Sequence, residues 1–230
     1  MPVETLLEYH EEEMKDNKMN QLIRKGYLAI SAILLLSCSG NNSNKQTGTI
    51  AETNSSVPET IISDKPIKSE ILGLKLGEAP NAFDIHGAIC GATKKMFSPS
   101  SQRFKEYYTF RYTPDQPPFY YGGIPWHYID IDFNNDEQIV RVTLMGSFES
   151  LDQAKKSYDQ SKNVLTKKYG KGNEGEEGDS IYWTDTITTV GAYYYQGNTI
   201  YGQDRSFCGM FYVNNMLGSE IEAAMEEPDV

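Results

Sequence analysis

The sequence predicts an α+β fold: an antiparallel sheet with helices packed on one face. Three observations carry that expectation. Residues 150–170 repeat apolar positions at helical spacing, residues 128–145 alternate polar and apolar side chains about a polar turn, and residues 180–213 hold three further strand-like runs. Strands in series, interrupted by few helices, indicate helices segregated to one side of a sheet.

The elements follow in order. Ile71 to Leu76 reads as a strand, and Pro80 to Phe97 as a short helix with Pro80 near its first turn and Gly87 and Gly91 weakening it. Phe104 to Tyr112 is a strand, and Pro114 to Pro125, with its prolines and glycines, a structured loop. Tyr128 to Phe133 and Ile139 to Met145 form a hairpin around Asn134–Gln138. In the best-marked helix, Ser150 and Gln153 form a capping box, and Leu151, Ala154, Tyr158, Leu165 and Tyr169 share a face. Lys167 and Lys168 suit the C-terminal dipole, and Gly170 supplies the stop. Ser180–Thr184, Thr188–Tyr195 and Ser206–Val213 are strands, followed by a helix from Leu217 to Glu226. From Pro80 this order reads twice as a helix plus three strands, first to about Phe148 and then from Ser150 to Val213, a tandem repeat.

Composition narrows the function. The 230-residue chain is 39% hydrophobic and 12% aromatic, enough for a real core. Its net charge of −11, with no dense Lys/Arg run, argues against nucleic-acid binding. The three cysteines and three histidines are widely separated, so no local zinc spacing exists, and no metal or other cofactor is expected.

The front of the chain carries an address. Tyr27 to Leu36 is a ten-residue apolar run, against roughly 20 needed to span a bilayer. With Arg24 and Lys25 before it and Ser37-Cys38 after it, residues 19–37 read as an export signal. The end, Leu35-Leu36-Ser37-Cys38, resembles the lipobox of bacterial lipoproteins, although Leu36 stands where a small residue is more usual. That resemblance implies cleavage before Cys38, a diacylglyceryl group on its sulfur, and a further fatty acid such as palmitate on the new amino terminus. Two or more acyl chains hold a protein stably at a membrane, where one does not.

Residues 1–18 hold six acids and two lysines ahead of a signal that needs positive charge, so translation is expected to start at Met19. Residues 38–66 are rich in Ser, Asn, Thr and Gly and are expected to form a flexible tether with a reach on the order of 30 Å, leaving 67–230 as the folded domain. In the Bacteroides-type lipoproteins that this chain resembles, acids just after the cysteine direct export to the cell surface. Here Ser39-Gly40-Asn41-Asn42 follow, which favours a periplasm-facing place at the outer membrane. The tandem layout over residues 70–213 also resembles the β-lactamase inhibitor protein and small outer-membrane assembly lipoproteins. LGLKLGEA, GGIPWHYIDIDF and AKKSYDQSKNVLTKKYG are similar to a pattern in uncharacterised Bacteroides-type lipoproteins. None of these resemblances implies a catalytic residue.

Candidate sites are few. Asp132, Asn134 and Asp136 occupy positions 1, 3 and 5 of a calcium loop, but Glu137 and Thr143 stand where Gly and Glu belong, so the reading is a hairpin turn. Asp130 and Asp132 share a strand face, and alternation with Ile129, Ile131 and Phe133 places them toward solvent. Cys90 and Cys208 permit one disulfide in an oxidising compartment; the alternative is two small buried side chains. His127 beside Trp126 is a general-base candidate with no nucleophile motif to serve, and reads as a strand-end surface residue. Asp179-Ser180-Ile181 and Asp185-Thr186-Ile187 match the short O-glycan acceptor pattern of Bacteroides-type exported proteins, at Ser180 and Thr186. The aromatic excess includes Tyr193-Tyr194-Tyr195, and Tyr120, Tyr121, Trp126 and Tyr194 make a candidate binding surface. The expected function is a membrane-anchored, non-enzymatic module that binds a protein; the alternative is glycan or small-ligand binding by exposed aromatics.

Overall fold

The computed structural model describes residues 60–103, 107–175, 178–197 and 205–219. Cys38, the signal segment and the first part of the tether lie outside the described residues. The strands are β1 (Glu70–Ile71), β2 (Leu74–Lys75), β3 (Phe97–Arg103), β4 (Tyr107–Pro114), β5 (Phe119–Tyr121), β6 (Ile124–Trp126), β7 (Tyr128–Asn134), β8 (Ile139–Phe148), β9 (Asn173–Glu174), β10 (Ser180–Thr184), β11 (Thr188–Gln196) and β12 (Ser206–Asn214). The helices are α1 (Ala82–Thr93) and α2 (Leu151–Tyr169). Eight strands form one antiparallel sheet in the order β3-β4-β7-β8-β12-β11-β10-β9, while β1–β2 and β5–β6 are separate hairpins. The mixed α+β class and the antiparallel sheet are as the sequence predicts.

Helix α2 begins where Ser150 leaves extended backbone and its hydroxyl accepts from the Gln153 amide at 3.4 Å. The Gln153 side chain reaches back to accept from the Glu149 N–H at 3.2 Å, one residue before the cap expected from the capping box. Ala154, Ser157, Tyr158, Ser161, Leu165 and Tyr169 form the buried stripe, whereas Leu151 is exposed. Helix α1 starts at Asn81, whose side chain accepts from the Phe83 and Asp84 amides at 3.0 Å each. It buries Ile85 and Ile89 and ends at Lys94 rather than Phe97, because Phe97 opens β3. Of the C-terminal helix, residues 215–219 are described and helical; 220–226 lie outside the described residues.

One core runs under both helices. It joins Ile129, Ile131 and Phe133 of β7 to Val142 and Leu144 of β8, Cys208, Met210 and Tyr212 of β12, and Trp183 of β10. These are alternate residues of adjacent strands, so the opposite parity defines the other face of the sheet.

Two boundaries differ from expectation. The folded unit starts before residue 67: Ile62 forms a parallel bridge with Thr184, and the side chain of Asn173 both accepts from the Ile61 N–H at 2.7 Å and donates to the Ile61 carbonyl at 2.8 Å. The last residues assigned to the tether are thus pinned to one edge of the sheet. The other edge is β3, FSPSSQR, which has no apolar alternation. Its Pro99 suits an edge strand, where a missing N–H costs no ladder bond.

Candidate functional site

Two regions collect the functional side chains. The first is the sheet face opposite the helices. Register places Thr109, Asp132, Arg141 and Val213 in one cross-strand row, and Ser100, Arg111, Asp130, Thr143, Phe211 and Gly191 in the next. A third holds Tyr128, Met145, Gly209 and Tyr193. Asp130 and Asp132 therefore share the open face as expected, but their surroundings are not those of solvated carboxylates.

Arg111 grips Asp130 with two bonds, Nε to Oδ1 at 2.7 Å and Nη2 to Oδ2 at 2.8 Å, and lies 4.1 Å from the Tyr128 ring centre. Asp132, only 3% exposed, is bound by Arg141 and accepts from the Thr109 hydroxyl at 2.6 Å. Burial raises the pKa of Asp130, and the Arg111 bonds work against that rise. Two carboxylates each held by a guanidinium are poorly placed to move protons.

The rings on this face lie flat. A Cβ on Gly209 would meet the Tyr193 ring at 2.4 Å, and one on Gly191 the Phe211 ring at 2.5 Å. Strand glycines thus provide the space each ring covers. Tyr195 stacks on Tyr193 and on Phe207, with ring centres 6.1 and 5.2 Å apart.

The second region is an open groove of about 670 Å³ at the end of β8, between the β5–β6 hairpin and the first half of α2. His127 lies in its lining. The His127 Nδ1 accepts from the Ser147 N–H at 3.1 Å, leaving Nε2 to carry the proton of the neutral ring. Arg205 is held against the same residue, Nε donating to the Ser147 hydroxyl at 3.2 Å and Nη2 to its carbonyl at 3.3 Å. Burial, with the nearby Arg205 charge adding to it, holds the His127 imidazole below the ordinary histidine range.

The unfolded chain therefore takes up this proton first, and stability falls as pH drops below about 6.5. His127→Asn is expected to lose less melting temperature than the wild type between pH about 7.5 and about 5.5. An equal loss in both proteins would show that this histidine does not carry the acid sensitivity.

The proposed aromatic surface does not assemble. Trp126 is fully buried, its indole N–H donating to the Tyr121 carbonyl at 3.1 Å, and Tyr121 packs against the core. Tyr194 turns under α2, its ring 5.0 Å from that of Tyr158. Tyr120 alone of the four is exposed, at 65%, and it lines the groove.

Cys90 and Cys208 are both free thiols. Cys90 is half-buried on α1 with its sulfur 3.7 Å from the His86 ring, while Cys208 is buried beneath α2, where burial pushes its thiol up to about 12 against a hydrogen bond with Ser161. Thr186 is exposed in the β10–β11 turn; Ser180 is half-buried on β10, its hydroxyl donating to Asp179 at 3.2 Å. The Asp132–Asp136 segment is a turn tied by Asn134, whose side-chain oxygen accepts from the Asp136 and Gln138 amides. Among the described residues no three His, Cys, Asp or Glu side chains group to hold a metal, and no helix is long and apolar enough to cross a membrane.

Sequence reasoning missed the Arg–Asp pairs and the groove. Arg111 and Asp130 are 19 residues apart on β4 and β7, Asp132 and Arg141 nine apart across the β7–β8 hairpin, and the groove draws on the Pro114–Pro125 loop, β8, α2 and Arg205. No protein-family model, curated protein or solved structure matches the chain.

Proposed function

We propose that the chain is a lipid-anchored protein of a bacterial cell envelope, held at a membrane through acylated Cys38. It acts without catalysis, as a module that binds a protein partner on the open face of the sheet. The chemistry of that face carries the reading. A sheet face left to water carries polar side chains in alternation, whereas this one carries the half-buried Tyr128, Tyr193 and Phe211, packed beside the buried Tyr195 and Phe207, with the Arg111–Asp130 fork next to them. Rings already laid flat have little freedom left to lose on binding, and Tyr and Arg are enriched where binding energy concentrates.

The strand order supports reading the sheet as two similar halves. Helix α1 precedes β3-β4-β7-β8 and α2 precedes β9-β10-β11-β12, with β8 and β12 meeting at the centre. The repeat unit is then a helix and four strands, because β3 and β9 extend the three of the sequence reading. Two halves in one sheet present a face broad enough for a macromolecule.

The test of binding is site-directed photo-crosslinking in native membranes from Ser100 and Thr113, exposed positions on the open face, with Val164 on the outer side of α2 as the control. Anchoring is read separately: palmitate label and membrane association are expected in the wild-type chain and lost in Cys38→Ala. An unlabelled wild-type chain would contradict the anchor.

A further inference from the structure

We propose that the groove between the β5–β6 hairpin and α2 is a binding site for an acidic saccharide. The site is independent of the open-face reading, for it uses none of the paired Arg and Asp residues.

One wall is a platform. Phe119 is fully buried and Tyr121 packs on the core, yet Tyr120 between them is 65% exposed along the groove. Gly122 and Gly123 follow with φ of 63° and 78°, and nothing lies within 4 Å of the space a Cβ would take at either. The turn therefore leaves the ring uncrowded. A bare aromatic face carries the negative side of its quadrupole outward, which suits the weakly positive C–H face of a pyranose.

The facing wall supplies polar recognition. Gln153, Lys156 and Gln160 stand three and four residues apart on α2, hence on one side of the helix, and all three line the groove. An amide donates and accepts at once, as sugar hydroxyls do. Among the described residues neither Lys156 nor Arg205 has an ion-pair partner, and Glu149 is the one acid in the lining. Arg205 is already oriented by its two bonds to Ser147, so its remaining N–H groups are presented at little entropic cost. The His127 Nε2–H adds a neutral donor.

Charge selects the ligand class. In a chain of net charge −11, a groove with two cations that have no ion-pair partner among the described residues, and one acid in its lining, is a local exception. The surrounding field disfavours a bare anion that has only charge to offer. A ligand that also stacks a ring face and bonds its hydroxyls to amides overcomes that field, and a sugar carrying a carboxylate does all three.

The experiment is calorimetric titration of the full chain in detergent with tetragalacturonate, with the same tetrasaccharide after its carboxylates are reduced to alcohols, and with inorganic phosphate. Tetragalacturonate is expected to bind at least about tenfold more tightly than the reduced form or phosphate. Tyr120→Ala and Lys156→Gln, both at exposed positions, are expected to melt as the wild type does. Each should weaken tetragalacturonate binding, Tyr120→Ala by about tenfold. Four results would each overturn the proposal: no binding at millimolar tetragalacturonate, equal binding of the acidic and reduced forms, phosphate binding as tight as tetragalacturonate, or unchanged affinity in Tyr120→Ala. Cross-linking from Ser100 and Thr113 reads the other region, so failure here leaves the open-face proposal standing.

Discussion

Trp126→Ala is expected to destabilise the fold by about 3–5 kcal/mol, the range for removing a large buried aromatic. The indole is completely buried, pairs across the β5–β6 hairpin with Phe119, and donates to the Tyr121 carbonyl. Its removal opens a void and leaves that carbonyl without its donor, two costs that add. Urea unfolding measures the loss. The expected phenotype is a lowered midpoint; a change below about 1 kcal/mol would place the ring outside the core.

Arg141→Leu is expected to cost about 3–5 kcal/mol, because it leaves the buried Asp132 carboxylate uncompensated in the middle of the sheet. The Thr109 hydroxyl remains as a partner, but one neutral donor does not replace a guanidinium. The double variant Arg141→Leu with Asp132→Leu should recover most of the loss, since an apolar pair of similar volume often matches a buried ion pair. If the double variant is as unstable as the single, the cost lies in lost packing of the arginine stem, and the uncompensated charge is not its source.

The same physics decides what could be read in advance. Helix α2 is legible because nineteen residues give its period five turns in which to declare itself, and the β7–β8 hairpin because strict alternation meets a polar turn. Strand β3 was missed because Ser98, Pro99, Ser100 and Ser101 carry no alternation, and an edge strand needs none. Trp126 was misread because the three residues of β6 are too few to show which side faces inward. The Tyr193–Tyr195 run was understood in part. Its alternation is real, but the partners that flatten Tyr193 and Phe211 are Gly209 and Gly191 on neighbouring strands. Glycines inside strand-like runs were the available signal, since they mark places where something large lies close to the backbone. The Arg111–Asp130 pair and the groove had no local signal, because each joins segments that only the fold brings together, whereas Asp132 and Arg141 sit nine residues apart in the legible hairpin and needed only its register.

The claim that this module works by holding a protein on its open face meets its most direct test in photo-crosslinking from native membranes. The account predicts one discrete adduct from both Ser100 and Thr113, of the same mass, and none from Val164 on the opposite side of the molecule. No adduct from either face position, or the same adduct from Val164, would contradict it.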